Sequence, residues 1–166
     1  MNQEIKTRET ETHIYFWKNY LSQWHMRNFT REGIVFNCCE QFMMYSKAKL
    51  FDDKDSMKLI MESDDPYYHK KIGRQVKNYN DDIWKNVSRY VVFVGNLAKF
   101  SQNKDLKDKL LSTGKKILVE ASPYDKLWGV GLDSWNDNIL DEKLWQGQNW
   151  LGKELRIVRE QLRISQ

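Results

Sequence analysis

A mostly apolar segment from Val35 to Phe51, VFNCCEQFMMYSKAKLF, constrains this chain more than any other stretch. Its first residues predict a short strand, and the residues from Cys39 onward predict a helix. Within that helix Glu40, Met44 and Lys47 are spaced i, i+4 and i+7, so they share one face. Burying an unpaired carboxylate is costly, and such a group normally finds partners or becomes protonated. Glu40 is therefore the first candidate for a functional residue.

Length and composition predict one soluble domain. With 166 residues the chain is long enough to bury a core without disulfides or metals. Hydrophobic residues make up 40% of it, and no apolar run approaches the roughly 20 residues that span a bilayer. The polar start lacks a signal core, and the adjacent Cys38 and Cys39 suit neither an ordinary disulfide nor a zinc site. A cytoplasmic protein with no membrane association, no metal and no cofactor is expected.

The remaining patterns predict a mainly helical chain. Residues 1–12 are polar and are expected to be frayed, and residues 13–166 are expected to form the domain. Strands are predicted at 13–17, 34–36 and 115–122, and the second of them follows a turn at Gly33. Besides the Glu40 helix, further helices are predicted at 54–63, from Pro66 to Gly73, from Asp81 or Asp82 to Phe100, at 104–114 and in the second half of 145–162. The run YVVFV also permits a strand within the longest of these helices.

Charge and aromatic content favour an anionic ligand without requiring one. The net charge is only +4, from 27 basic and 23 acidic residues, which falls short of a nucleic-acid footprint. A local basic cluster, KKIGRQVK at 70–77, could face a phosphate, or it could be a solvated surface. Seven Trp residues are many for this length, and two of them lie in SPYDKLWGVGLDSWND at 122–137. That composition is typical of an ordered functional loop, although single Trp residues usually fill a core.

Carboxylates and aromatic rings are the chemistry that remains once familiar motifs are excluded. The chain has no GxGxxG or Walker-type phosphate loop, and its three His residues are dispersed. Glu40 and Asp125 are candidates for the pair of carboxylates that glycosidic bond cleavage needs, because the sugar gains oxocarbenium character at C1. A Trp or Tyr ring beside them would stack on a nucleobase. The spacing of two residues in sequence does not establish that they meet.

A whole-chain pattern resembles the NADAR family, also called the YbiA-like family, over roughly residues 14–163. Its most specific parts are Glu40 and Lys47 in an E-x(6)-K helix, the SP-x-D-x-x-WG-x-GL loop and the GQN-x-LG segment. The other matching pieces are NF at 28–29, DP at 65–66, IGRQV at 72–76, Trp84, GNLAKF at 95–100 and LLSTG at 110–114.

The resemblance implies a fold, an activity and a set of residues. The implied fold is α+β, a predominantly α-helical single domain with small β elements. The implied activity is hydrolysis of N-glycosidic bonds, either removal of ADP-ribose from guanine in DNA or RNA or cleavage of early riboflavin-biosynthesis intermediates. The ligand would contain ADP-ribose, and a monomer is expected. The implied catalytic residues are Glu40, Asp125 and Trp84. The implied substrate-binding residues are Asn28, Phe29, Lys47, Arg74, Trp128, Gln148 and Asn149.

Two departures from the family favour the ADP-ribosyl hydrolases. Bacterial riboflavin-linked members carry His after the catalytic Glu and Asp within the WGDG loop, whereas this chain has Gln41 and Val130.

Lys47 is expected to pair with Glu40 and hold it ionised, since a cation at about 4 to 6 Å favours the charged carboxylate. A binding module without turnover and a structural subunit that lost the chemistry are the alternatives.

Overall fold

The computed structural model describes residues 7–165, and it divides the chain into two units. The terminal unit comprises the residues up to Ser22 together with those from Lys104 onward, and the central unit comprises Gln23–Asn103. The strands are β1 (Arg8–Glu9), β2 (His13–Phe16), β3 (Phe29–Arg31), β4 (Ile34–Phe36) and β5 (Ile117–Glu120). The helices are α1 (Cys39–Leu50), α2 (Lys54–Met61), α3 (Pro66–Gly73), α4 (Asp81–Gln102), α5 (Lys104–Ser112) and α6 (Trp150–Ile164), with two 3-10 helices at Asp137–Leu140 and Glu142–Leu144.

The terminal unit is built on a three-stranded sheet in the order β1-β2-β5. β2 pairs with β5 in parallel and with β1 in antiparallel orientation. α6 lies against β5 so closely that a Cβ on Gly152 would come within 2.0 Å of the Leu118 carbonyl oxygen. Along the helix predicted in the second half of 145–162, the apolar residues spaced by about one turn form a buried stripe on α6, which consists of Leu151, Leu155, Val158 and Leu162.

The central unit is organised around α1, which packs against α2, α3 and α4. Glycines allow two of these approaches, because a Cβ on Gly73 would overlap the Met44 side chain and a Cβ on Gly95 would lie 2.6 Å from the Phe42 ring. The β3-β4 hairpin turns at Gly33, whose φ of 78° a side chain would oppose. The middle of α1 is therefore enclosed by helices on several sides.

The helical predictions are confirmed in type and approximate extent. The run YVVFV lies within α4, so the strand alternative is wrong there. The cap of α4 is Asn80, whose side chain accepts a hydrogen bond from the Ile83 N–H, while Asp81 and Asp82 occupy the first turn. In the part of the chain that is described, no helix combines the length and apolar character needed to cross a membrane.

Two expectations about the strands need correction. The sequence pattern predicts no strand between residues 18 and 33, but β3 lies there because it pairs with β4. The expectation of a frayed segment through residue 12 fails at Arg8 and Glu9, which form β1. The Thr10 side chain fixes the turn into β2 by accepting from the His13 N–H, and Lys116 forms an ion pair with Glu9. Residues 1–6 lie outside the described part of the chain.

We expect Gly152→Ala to lower the free energy of unfolding by about 2 kcal/mol. The new Cβ meets a backbone oxygen, so the cost of overpacking lies at the upper end of the usual range, about 3 kcal/mol. A gain of roughly 1 kcal/mol in helix propensity offsets part of it. Urea unfolding followed by circular dichroism measures the change. The control Lys153→Ala, on the exposed side of the same helix, should stay within about 0.5 kcal/mol. If the two variants are equally stable, the contact between α6 and β5 shifts enough to admit the extra methyl group at little cost in free energy.

Candidate functional site

Glu40 lies in the first turn of α1 and is only 6% exposed. Its N–H donates to the Gln23 carbonyl oxygen at 2.9 Å, which fixes the start of the helix. The N-terminus of a helix favours negative charge, since its first N–H groups lack partners within the helix. The structure therefore buries a carboxylate where the backbone tolerates one.

Gln41, the residue that departs from the family pattern, has a structural explanation. Its side-chain oxygen accepts from the Asn37 N–H at 2.8 Å, and its amide nitrogen donates to the carbonyls of Ile60 and Ser63. His69 Nε2 lies 2.7 Å from the same Ser63 oxygen, and burial lowers the pKa of His69. These bonds attach the beginning of α1 to the end of α2, so Glu40 sits on a rigid support.

Lys47 does not form the ion pair with Glu40 that the helical spacing predicted. Its ammonium donates instead to the Gly73 carbonyl oxygen at 2.7 Å, because Gly73 brings the end of α3 against α1. Burial lowers the pKa of Lys47, and the carboxylates of Asp81 and Glu40 oppose that shift. Glu40 therefore acts on Lys47 through its field, as a neighbouring charge.

Tyr79, which the sequence did not single out, lies beside this lysine. Lys47 Nζ is 4.1 Å from the centre of the Tyr79 ring and 5.8 Å from that of Trp84. Tyr79 is 42% exposed, whereas Trp84 is only 8% exposed. Burial and a hydrogen bond to Asp81 raise the pKa of Tyr79 to about 12, so its hydroxyl stays a donor. Tyr79 is thus the ring that can meet a ligand, and Trp84 forms the wall behind it.

A basic cleft of about 190 Å³, the α3 cleft, lies along α3 and the two residues that follow it. Its lining residues are Tyr67, Lys70, Lys71, Arg74 and Gln75. Lys77, which the sequence grouped with these cations, pairs with Asp55 at 2.9 Å and is not part of the cleft. Within residues 7–165, no carboxylate pairs with Lys70, Lys71 or Arg74.

Asp125 organises the loop that follows β5. Its Oδ1 accepts hydrogen bonds from the N–H groups of Leu127 and Trp128, at 2.9 and 2.8 Å. The Trp128 ring is half-buried and packs edge to face on Trp150, with 5.5 Å between centroids. One carboxylate oxygen is thereby used by the loop itself, which leaves Oδ2 for a ligand.

The GQN-x-LG segment is explained largely by packing. Asn149 is buried, its Nδ2 donates to the Leu118 carbonyl at 2.9 Å, and its Oδ1 accepts from the Glu120 N–H at 3.0 Å. A Cβ on Gly147 would lie 2.3 Å from the Gly129 carbonyl oxygen. Each polar atom of the Asn149 side chain bonds to β5, so the side chain ties the loop to that strand, and its contact with a ligand stays a prediction. Gln148 next to it is exposed.

Phe29 differs from its predicted role as a pocket residue, whereas the role of Asn28 stays a prediction. Phe29 is 2% exposed and belongs to an aromatic cluster with Phe36 and Phe42, so it is a core residue. Asn28 is exposed, and its carbonyl oxygen accepts from the Asn103 side chain. The motif alone did not distinguish the buried Phe29 from a pocket residue.

The structure thus places the predicted site residues in two sets. The central unit holds Glu40, Lys47, Arg74 and Trp84. The Lys47 ammonium lies near the rings of both Trp84 and Tyr79. The terminal unit holds Asp125, Trp128, Gln148 and Asn149. Among residues 7–165, no group of three or more His, Cys, Asp or Glu side chains is arranged to hold a metal ion.

Comparison with known proteins gives a consistent family. The model of the NADAR domain matches residues 15–163. The chain is 41% identical to N-glycosidase R617 of Acanthamoeba polyphaga mimivirus, over 92% of this chain and 98% of that protein. It is 27% identical to a riboflavin biosynthesis protein of Vibrio vulnificus, over 96% of this chain but 41% of that longer protein. Its structure is similar to the NMR structure of E. coli YbiA, with a TM-score of 0.77 at 26% identity, covering 98% of this chain and 92% of that one.

We expect Asn149→Ala to destabilise the protein by about 2–4 kcal/mol. The change removes the side-chain partners of the partly buried Glu120 N–H and of the buried Leu118 carbonyl. It also places Ala at a φ of 53°, which is costly for a residue other than glycine or asparagine. Urea unfolding measures the loss. The neighbouring control Gln148→Ala should change stability by less than about 0.5 kcal/mol. If Asn149→Ala is as stable as that control, the asparagine is not a structural tie.

Proposed function

Because this chain belongs to the NADAR family, whose model matches residues 15–163, we propose that it is a hydrolase acting on N-glycosidic bonds. The observation that carries the proposal is the buried carboxylate of Glu40 on its rigid support at the start of α1. The name of R617, an N-glycosidase that aligns over nearly the whole of both chains, supports the same reaction class. Glu40 is the residue on which the chemistry depends.

Glu40 acts at C1 of the ribose. Cleavage breaks the bond between C1 and a base nitrogen and develops positive charge on the sugar, which a carboxylate stabilises. The oxygen of an attacking water forms the new bond to C1, and Glu40 takes up a proton from that water. The bonding electrons leave with the base nitrogen, which is protonated as it departs. A solvent water supplies that proton. Asp125, the second catalytic carboxylate that the family resemblance implies, stays a prediction, and its Oδ2 is open to a ligand.

The aromatic and basic groups of the central unit position the substrate. Lys47 holds the Tyr79 ring by a cation–π contact, which orders the ring before a ligand arrives. Tyr79 stacks on the base or the ribose, and Trp84 excludes water behind it. Arg74 is exposed and has no carboxylate partner among residues 7–165, so its guanidinium is available to a phosphate.

We propose ADP-ribose linked to guanine in nucleic acid as the substrate. The exposed Arg74 guanidinium, which has no carboxylate partner among residues 7–165, supports a ligand that carries phosphates. Val130 stands where riboflavin-linked relatives carry Asp, and it is fully buried in an apolar cluster with Tyr15 and Val119, so this position offers no acid for that chemistry. Gln41 is likewise occupied by helix contacts.

The second candidate is hydrolysis of early riboflavin-biosynthesis intermediates. The similarity to the riboflavin biosynthesis protein of Vibrio vulnificus, which aligns over nearly all of this chain, favours it. A non-catalytic ADP-ribose-binding module is the third possibility. It requires tight binding of free ADP-ribose in calorimetry together with no turnover of any linked substrate.

We expect Glu40→Gln to lower the rate of hydrolysis at least about a hundredfold while leaving the fold intact, because the amide stabilises no positive charge and accepts no proton. The substrates are ADP-ribosylated guanine in a short DNA strand and, separately, a ribosylamino-pyrimidine, with the freed product quantified by chromatography. The control Glu62→Gln removes an exposed carboxylate that pairs with Lys58, and it should retain full activity.

The two substrates separate the candidates. Release of ADP-ribose from the DNA strand, with no cleavage of the pyrimidine, supports the first candidate, and the reverse result supports the second. Full activity of Glu40→Gln on both substrates would remove the basis of the proposed reaction.

Asp125 requires two substitutions, because it supports the loop as well as the proposed chemistry. Asp125→Asn keeps an oxygen for the N–H groups of Leu127 and Trp128, whereas Asp125→Ala removes it. We expect Asp125→Asn to unfold like the wild type and to lose about a hundredfold or more in kcat, and Asp125→Ala to lose about 1 kcal/mol of stability in addition. Wild-type kcat in Asp125→Asn would limit this residue to a role in the loop.

A further inference from the structure

The cations of the α3 cleft differ from most lysines around them. On the same unit, Lys49 pairs with Glu32, Lys58 with Glu62, and Lys77 with Asp55. Within residues 7–165, Lys70, Lys71 and Arg74 have no such partner. Lys70 and Arg74 are also spaced i, i+4, where like charges on one helix face repel. A surface that concentrates unpaired positive charge is suited to a polyanion.

Aromatic rings accompany these charges. Tyr67 lies one turn before Lys70 and Lys71, lines the same cleft and is 65% exposed. Lys70 Nζ lies 6.0 Å from the centre of the Trp24 ring, which is itself 38% exposed. Cations near the C-terminal end of a helix are favourable in any case, because the helix dipole is negative there. The dipole does not explain why an exposed tyrosine lines the same concave surface as these cations.

We propose that Tyr67, Lys70 and Lys71 form a binding surface for single-stranded nucleic acid, next to the site of hydrolysis. Lysines that follow a phosphodiester backbone, together with an aromatic side chain on which a base stacks, are the usual means of holding a single strand without sequence preference. The inference rests on the proposed function, and it assigns a surface to the strand that carries the ADP-ribosylated guanine. Lys70 and Lys71 contact backbone phosphates on nucleotides that flank the modified base.

Binding of unmodified single-stranded DNA tests this surface without involving hydrolysis. The probe is a fluorescein-labelled oligonucleotide of about twelve nucleotides, within the range that one such surface covers. Fluorescence anisotropy at several salt concentrations gives the affinity and its dependence on salt. We expect the double variant Lys70→Gln/Lys71→Gln to bind about tenfold or more weakly and to lose roughly 0.7 from the salt slope for each phosphate contact removed.

Matched variants separate a strand surface from general positive charge. Lys49→Gln/Lys58→Gln removes the same charge from paired lysines, and it should bind the strand like the wild type. Tyr67→Ala should weaken binding roughly five- to hundredfold, whereas Tyr67→Phe retains the stacking ring and should bind normally. Two results would contradict the proposal. One is an equal loss of affinity in both lysine double variants. The other is polyglutamate of the same charge binding through Lys70 and Lys71 as tightly as the strand does. Absence of strand binding by the wild type would overturn it outright.

Turnover separates this inference from the proposed function. The lysine double variant should hydrolyse ADP-ribosylguanosine, which has no flanking phosphates, as fast as the wild type, and should show a raised KM only for the modified strand. Loss of turnover on both substrates would place Lys70 and Lys71 in the hydrolytic pocket and overturn the strand surface. If the wild type binds the strand through Lys70 and Lys71 but hydrolyses neither substrate, the strand surface stands and the proposed function fails.

Discussion

The close approach of α3 to α1 is the constraint on which the central unit depends. Gly73 permits it, since any side chain there would occupy the space of Met44. The approach brings the Gly73 carbonyl within 2.7 Å of Lys47, and the ammonium held there places the Tyr79 ring at its side. The absence of a side chain at Gly73 thereby determines the positions of the Lys47 ammonium and the Tyr79 ring. The end of α3, with Arg74 directly after Gly73, is positioned by the same contact.

The terminal unit reaches its order by different means. Its long loop has little regular structure, so side chains take over the hydrogen bonding that a strand would provide. Asp125 binds two N–H groups of the loop, and Asn149 bridges a carbonyl and an N–H of β5. Gly147 and Gly152 let backbones touch where a Cβ would not fit. Residues that stand out as a sequence motif are here mainly the residues that make a loop rigid.

The sequence predicted the helices better than the site, and the reason is physical. Helical periodicity is local, so the whole of α4 and the buried stripe of α6 follow from spacing. The partner of Lys47 depends on a glycine twenty-six positions away, which no periodicity reports. Phe29 and Asn149 match motif positions, yet a motif does not tell a residue that touches a ligand from one that supports the loop. Tyr79 was missed because it lies in a polar turn outside any periodic segment.

The rigidity of the loop after β5 also decides when its conformational entropy is lost. A loop held by the Asp125 and Asn149 side chains, and by the Gln148 N–H on the Lys126 carbonyl, is ordered as the chain folds. A substrate that meets Trp128 or Gln148 then encounters a surface that is already shaped. Binding need not order that loop, so more of the contact free energy appears as affinity. Gly147 and Gly152, which allow the backbones around this loop to approach closely, thus contribute to binding through the shape of the loop.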